Sequence, residues 1–150
     1  MSTTPSIPSD PALYDRIESS FLRQGMMQHL GARLERVARG EVELTLPFSN
    51  KVTQQQGSFH GGAMGALADI AGGYAGLTTA PDDSEVATVE YKINFLASKI
   101  GGTLHAIGRV SKSGRRLIIT TADVTHVADD GARTLCAIMQ ETLAVVPKKY

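Results

Sequence analysis

The chain has 150 residues, 15 basic and 15 acidic side chains, and a formal net charge of zero. That length suits one domain with a real core, and the charge balance argues against nonspecific binding to nucleic acid or to anionic membranes, leaving a small molecule as the expected partner. Cys136 is the only cysteine, which excludes an intramolecular disulfide or a thiolate metal site; its alternating apolar surroundings read as those of a buried, inert thiol.

Residues 1–10 are polar and Pro-rich and are expected to form a disordered tail, with a single domain following over 11–150. The tail lacks the basic and apolar regions of a signal peptide, so the expected location is cytoplasmic. Asp10-Pro11 places an N-cap before a proline at the first helical position. A helix from about Pro11 to Arg23 is predicted, burying Leu13, Ile17 and Phe21, with Gly25 stopping it. From Met27 onward the pattern changes to short segments of period two. Val42, Leu44 and Leu46 alternate with Glu41, Glu43 and Thr45, the mark of a strand with one buried face, and Pro47 ends it.

The most informative stretch runs from Gln54 to Leu77, where one carboxylate, Asp69, sits among small uncharged residues. A helix is predicted from about Gly61 to Thr78. Each interior glycine costs it roughly 1 kcal/mol relative to alanine, so burial must compensate. A helix apolar on nearly every side is a core helix or a membrane span, and this one is too short and too glycine-rich for a span. After a loop at Ala80-Pro-Asp-Asp-Ser84, four strands are predicted: Thr88–Phe95, Gly101 to about Val110, Arg115–Val127 and Ala132–Val146. The turns at Ser113-Gly114 and Asp129-Asp-Gly131 are hairpin signals. Helix, strand, long central helix and four strands together predict an α+β architecture, an antiparallel sheet curled around one helix.

The Gln54-x5-His60-Gly61-Gly62-x6-Leu67-Ala68-Asp69 pattern and the Thr88-Val-Glu-Tyr-Lys-Ile-Asn-Phe95 strand resemble the hotdog-fold acyl-CoA thioesterases of the PaaI type, over roughly residues 25–147. The resemblance implies hydrolysis of an acyl-CoA thioester to a free acid and CoA without a metal or redox cofactor. It also implies intersubunit active sites in an obligate homodimer, which many relatives pair into a homotetramer.

The residues suit that chemistry. Gly61 and Gly62 open the central helix, where amide N–H groups have no intrahelical acceptor and the dipole is positive, a natural oxyanion site. Asp69 is the expected catalytic carboxylate, either as general base for water or as nucleophile forming a mixed anhydride. Its structural alternative is a carboxylate tied to nearby hydroxyls. His60 and Asp69 are nine residues apart, half a turn out of phase and about 13.5 Å along the helix axis, so they cannot share one small site. If the Gly61 amide and Asp69 act on one thioester, they must come from different chains.

Gln54 is expected to bond the water or substrate, and His60 to hold the loop or polarise the carbonyl. Relatives that use Gln often place Ser or Thr four residues after the carboxylate. That position is Gly73 here, and Thr88 is the expected substitute. Phe59, Met26, Met27, Met64, Tyr74 and Leu77 are candidates for lining the acyl tunnel. Lys92, Lys99, Arg115 and Arg116 are candidates for the CoA phosphates. His29, His105 and His126 share no ligand spacing, so no metal site is expected. Two further readings remain open: a noncatalytic acyl-CoA-binding module, and an acyl-thioester dehydratase or hydratase.

Overall fold

The computed structural model describes residues 10–150; apart from Asp10, the tail expected over 1–10 lies outside the described residues. The elements are α1 (Pro11–Phe21), α2 (Gly25–Leu30), β1 (Arg33–Ala38), β2 (Glu41–Pro47), a 3-10 turn (Asn50–Val52), α3 (Gly61–Leu77), β3 (Ser84–Phe95), β4 (Thr103–Ser113), β5 (Leu117–Val127) and β6 (Arg133–Pro147).

The first helix begins as its sequence dictates. The Asp10 side chain accepts a hydrogen bond from the Leu13 N–H at 3.1 Å, and Leu13, Ile17 and Phe21 are buried. Gly25, expected to stop the helix, instead opens α2, which seats Met27 in the core and closes at Gly31 with φ of 85°. β1 had no individual prediction. Only Val37 of its six residues is buried, so the strand carries no clean period-two signal.

All neighbouring strands pair antiparallel in one sheet of order β1-β2-β4-β5-β6-β3, which leaves β1 and β3 at the edges. α3 lies against β2, β3, β4, β5 and β6, so the sheet curls around it in the hotdog arrangement. The closeness of that approach requires glycine on both sides. A methyl group at Gly108 of β4 would collide with the α3 backbone at Ala71 and Gly72, and one at Gly72 would collide with Glu141 and Thr120. At the far end, Arg16 of α1 donates to the carbonyls of Leu77, Ala80, Pro81 and Ser84. Its guanidinium thereby meets the negative end of the helix dipole.

No helix among the described residues is long and apolar enough to cross a membrane. Cys136 is fully buried, and burial pushes its thiol up, as expected of an unreactive cysteine.

Candidate active site

The central helix and the edge strand β3 lie antiparallel, side by side. Phe95 packs over Gly61, the Tyr91 hydroxyl reaches Gly65, and Thr88 Oγ1 donates to Asp69 Oδ1 at 2.7 Å. Thr88 is therefore the hydroxyl partner that Gly73 cannot be.

Strict alternation along Thr88–Phe95 would have turned Thr88 away from Tyr91 and Phe95. Pairing with β6 shows why it does not. Thr88 pairs with Leu143 but Glu90 pairs with Thr142, so Val89 is an extra, bulged residue. Directly opposed residues of an antiparallel pair project from the same face. Leu143 and Glu141 are both fully buried beneath the helix, so their partners Thr88 and Tyr91 both face it as well. The bulge brings a hydroxyl to the carboxylate without turning the rest of the strand over.

Around the N-terminus of α3 lies a depression of about 390 Å³, lined by Gln54, Phe59, Gly61, Met64, Phe95 and Leu96. His60 is the N-cap: its Nδ1 accepts from the Gly62 N–H at 2.7 Å, while its own N–H donates to Val52. An accepting Nδ1 leaves the ring proton of the neutral imidazole on Nε2, which is free to donate. The two glycines thus part company. The Gly62 N–H is satisfied by its neighbour, whereas the Gly61 N–H makes no hydrogen bond to any described residue. Gln54 Oε1 accepts from the Gln56 N–H within its own loop, which aims the side-chain NH2 outward as a donor. Phe59 is buried, edge-on to Phe48 with 5.0 Å between ring centres.

A second depression, of about 360 Å³, contains Asp69, Thr88, Gly73, Tyr74, Gln24 and Arg23 among its lining. It shares no lining residue with the first. Tyr74 Oη lies 3.0 Å from Ser20 Oγ and accepts from Gln24 Nε2 at 3.0 Å, with its phenol pushed up by burial. Arg23 stacks on Tyr150, 4.2 Å from the ring centre. Leu77 lines this depression and Met64 the other, while Met27 is buried and Met26 exposed. The polar lining from α1 and the C-terminus went unrecognised because only the fold brings it beside the helix.

The expected phosphate ligands are scattered. Lys92 lies on the sheet face turned away from α3, bonded to Asn94 at 2.6 Å and near Asp123 and Gln140. Arg115 and Arg116 are exposed at the β4–β5 turn, beyond the C-terminal end of α3. The structure brings none of the three to either depression of the protomer. Lys99 comes closer to the first, since its carbonyl accepts the Phe59 N–H at 2.9 Å.

Sequence reasoning also passed over Glu141. Its side chain is fully buried, accepts from Thr120 Oγ1 at 3.0 Å, and packs against Gly72, one helical turn from Asp69. Burial first, then the neighbouring Asp69 carboxyl, pushes it up to about 9, so it is protonated at neutral pH. The available signal was parity: Glu141 occupies the inward register of β6 shared by Ala137, Met139 and Leu143. No group of residues suited to hold a metal ion occurs among the described residues.

Comparison with known proteins places this arrangement. Residues 56–132 match the sequence profile of the thioesterase superfamily. A thioesterase family protein from Silicibacter pomeroyi superposes with a TM-score of 0.87 at 34% identity, covering 91% of this chain and 99% of that one. The 1,4-dihydroxy-2-naphthoyl-CoA hydrolase of Listeria monocytogenes is 28% identical over 125 residues, 83% of this chain and 98% of that one. The PaaI protein of the E. coli phenylacetic acid degradation operon shares the fold, with a TM-score of 0.80 at 17% identity over 91% of this chain and 95% of that one.

Proposed function

The chain belongs to the thioesterase superfamily and is a thioester hydrolase, and from that premise we propose that it hydrolyses acyl-CoA thioesters at a site shared between two copies of itself. The observation that carries this reading is the separation of the two depressions: one holds a free helix-terminal amide, the other a carboxylate with its hydroxyl partner.

The edge strand supports the pairing. β3 leaves Val89, Tyr91 and Phe95 between 43% and 60% exposed, a costly arrangement for an isolated protomer. Joining two β3 edges antiparallel, about a two-fold axis that sets Lys92 opposite Lys92 of the second copy, would, with the extra residue at Val89 counted, place Phe95 of one copy beside Thr88 of the other. Because Gly61 lies under Phe95 and Asp69 beside Thr88, the same operation would bring the amide of one copy to the carboxylate of the other, twice per dimer. Pairing of such dimers into tetramers is compatible with this scheme.

In the proposed reaction Asp69 takes a proton from water as the water oxygen attacks the thioester carbon. The Gly61 N–H holds the oxyanion that forms, with the Gln54 NH2 as a further donor at that end and His60 holding the helix terminus as its cap. Collapse breaks the C–S bond, and the proton leaves Asp69 for the departing thiolate. Water and side chains suffice, so no cofactor enters. The acyl group would occupy the depression beside Asp69, between Ile70, Tyr74 and Leu77. The Listeria relative, named for a naphthoyl-CoA substrate, supports an aryl acyl group. Of the basic candidates, Lys99 is best placed for the CoA phosphates, and a cytoplasmic location fits a CoA ester.

The test is thiol release from short, medium and long aliphatic CoA esters together with phenylacetyl- and hydroxybenzoyl-CoA. Asp69→Asn should lower kcat by about 10²–10⁴-fold while the ester still binds. Full turnover in the variant would remove Asp69 from the chemistry. Binding without turnover in either form would establish the noncatalytic module instead.

A further inference from the structure

Thioester hydrolysis accounts for Asp69 but not for the carboxyl group buried beneath it. Glu141 has no exposed surface, and its Oε2 has no hydrogen-bond partner among the described residues if it is taken as an acceptor. A buried oxygen left in that state is expensive, and an ionised carboxylate still more so. Among the described residues no cation stands near enough to offset a charge. Thr120 faces it from β5, and Tyr91 lies opposite it on β3. The charged groups near it are Asp69 of α3 and, more distantly, Glu90 of β3, which faces the other way and accepts from Thr142 at 2.6 Å.

One proton resolves all of this. Placed on Glu141 Oε2, it turns the orphaned oxygen into a donor, and the acceptor on the helix face above it is the Asp69 carboxylate, one turn before the Gly72 that Glu141 packs against. Oε1 keeps the Thr120 hydrogen bond. We propose that Glu141 is a positioning residue, a neutral carboxylic acid whose O–H donates to Asp69 and, with the Thr88 hydroxyl on Oδ1, fixes the catalytic carboxylate between two donors. Both oxygens of the pair share one negative charge, as like charges at contact distance demand. Gly72 is part of the device, since any side chain there would occupy the space of the Glu141 carboxyl.

The pair has a pH limit. When Glu141 loses its proton, Asp69 exchanges a donor for a second negative charge, so kcat/KM should fall along an alkaline limb near pH 9. Folding obeys the same proton. The folded value lies above the ordinary 4.5, so wild type should lose stability relative to Glu141→Gln as pH rises from about 4.5 to about 9, and the two should run parallel below that window.

Glutamine keeps both hydrogen bonds, its amide oxygen accepting from Thr120 and its NH2 donating to Asp69, but cannot titrate. Glu141→Leu keeps the volume and neither bond. The expected results are a roughly tenfold lower kcat with little change in KM for Glu141→Leu, rescue of most of that loss by Glu141→Gln, and disappearance of the alkaline limb in the latter. A limb unchanged in Glu141→Gln, or wild-type kcat in Glu141→Leu, would overturn the proposal. The kinetic measurements rest on Asp69 being the catalytic carboxylate; infrared spectroscopy of the substrate-free protein does not. At pH 7 the carbonyl stretch of a protonated carboxylic acid should be present in wild type and absent in Glu141→Gln. Its absence from wild type would sink the shared proton even if thioesters are hydrolysed, and its presence would stand even if they are not.

Discussion

The two ends of the candidate site are built by opposite means. At the N-terminus of α3 the functional groups are main chain and near neighbours: the Gly61 amide, the His60 cap and a Gln54 oriented by its own loop, all within eight residues of sequence. Around Asp69 the partners come from elsewhere, Thr88 from β3 and, in the proposed arrangement, Glu141 from β6, itself held by Thr120 of β5. An oxyanion donor needs only an unoccupied N–H and a helix dipole, which one short segment supplies. A carboxylate held in mid-helix needs donors around it, and a helix surface of alanine and glycine has none to offer, so the sheet must provide them.

That contrast can be broken at the main-chain end with Gly61→Pro. Proline suits the first helical position, and His60 before it already has φ of −69° and ψ of 134°, which a following proline accepts. The helix should form normally once the Phe95 ring gives by a few tenths of an ångström, and kcat should fall about 10²–10³-fold relative to Gly61→Ala, which crowds Phe95 in the same way but keeps the N–H. Unchanged kcat would show that the Gly61 amide is not the oxyanion donor. At the side-chain end, Thr88→Val removes one donor from Asp69 and preserves shape. Here kcat should drop roughly tenfold, and a fall in thermal stability without a fall in kcat would make the Thr88 bond structural only. The smallest effect is expected for His60→Ala, which removes the cap. Stability should decrease by about 1 kcal/mol in denaturant titrations, with a modest loss of turnover from the loosened Gly61 geometry. A loss of turnover as large as that of Gly61→Pro would give His60 Nε2 a direct part in the chemistry.

The same contrast explains what could be read from the residues alone. The main-chain end is contiguous, so Gln54, His60 and Gly61 could be put forward together from one motif that resembles a known family, while the long helix and the four strands behind it were readable from periodicity and turns. Asp69 stood out because it was the only charge in its helix. Thr88 was identified as the hydroxyl partner, but the means of presenting it was not, because a bulge at Val89 leaves no mark in an otherwise regular alternation. Glu141 was not singled out, although its parity with Met139 and Leu143 pointed inward. The basic residues misled for the reverse reason. Charge at a turn identifies a solvated place, and nothing local to Arg115 or Arg116 says what stands next to it.

A helix that is apolar on every side carries no instruction in hydrophobicity about its own rotation. In α3 that instruction is written in side-chain size. Gly61, Gly65, Gly72 and Gly76 fall along one stripe against β3, β5 and β6; a methyl group would collide at Gly72 and Gly76 and crowd Phe95 and Tyr91 at Gly61 and Gly65, and Gly108 closes the approach from β4. Turning the helix by one residue would carry larger side chains into those contacts, Met64, Ala71 and Ala75 in one direction, Ala66 and Leu77 in the other. The bearing of Asp69 is thus set by absent atoms, and the aim of the carboxylate is encoded in residues that have no side chain at all.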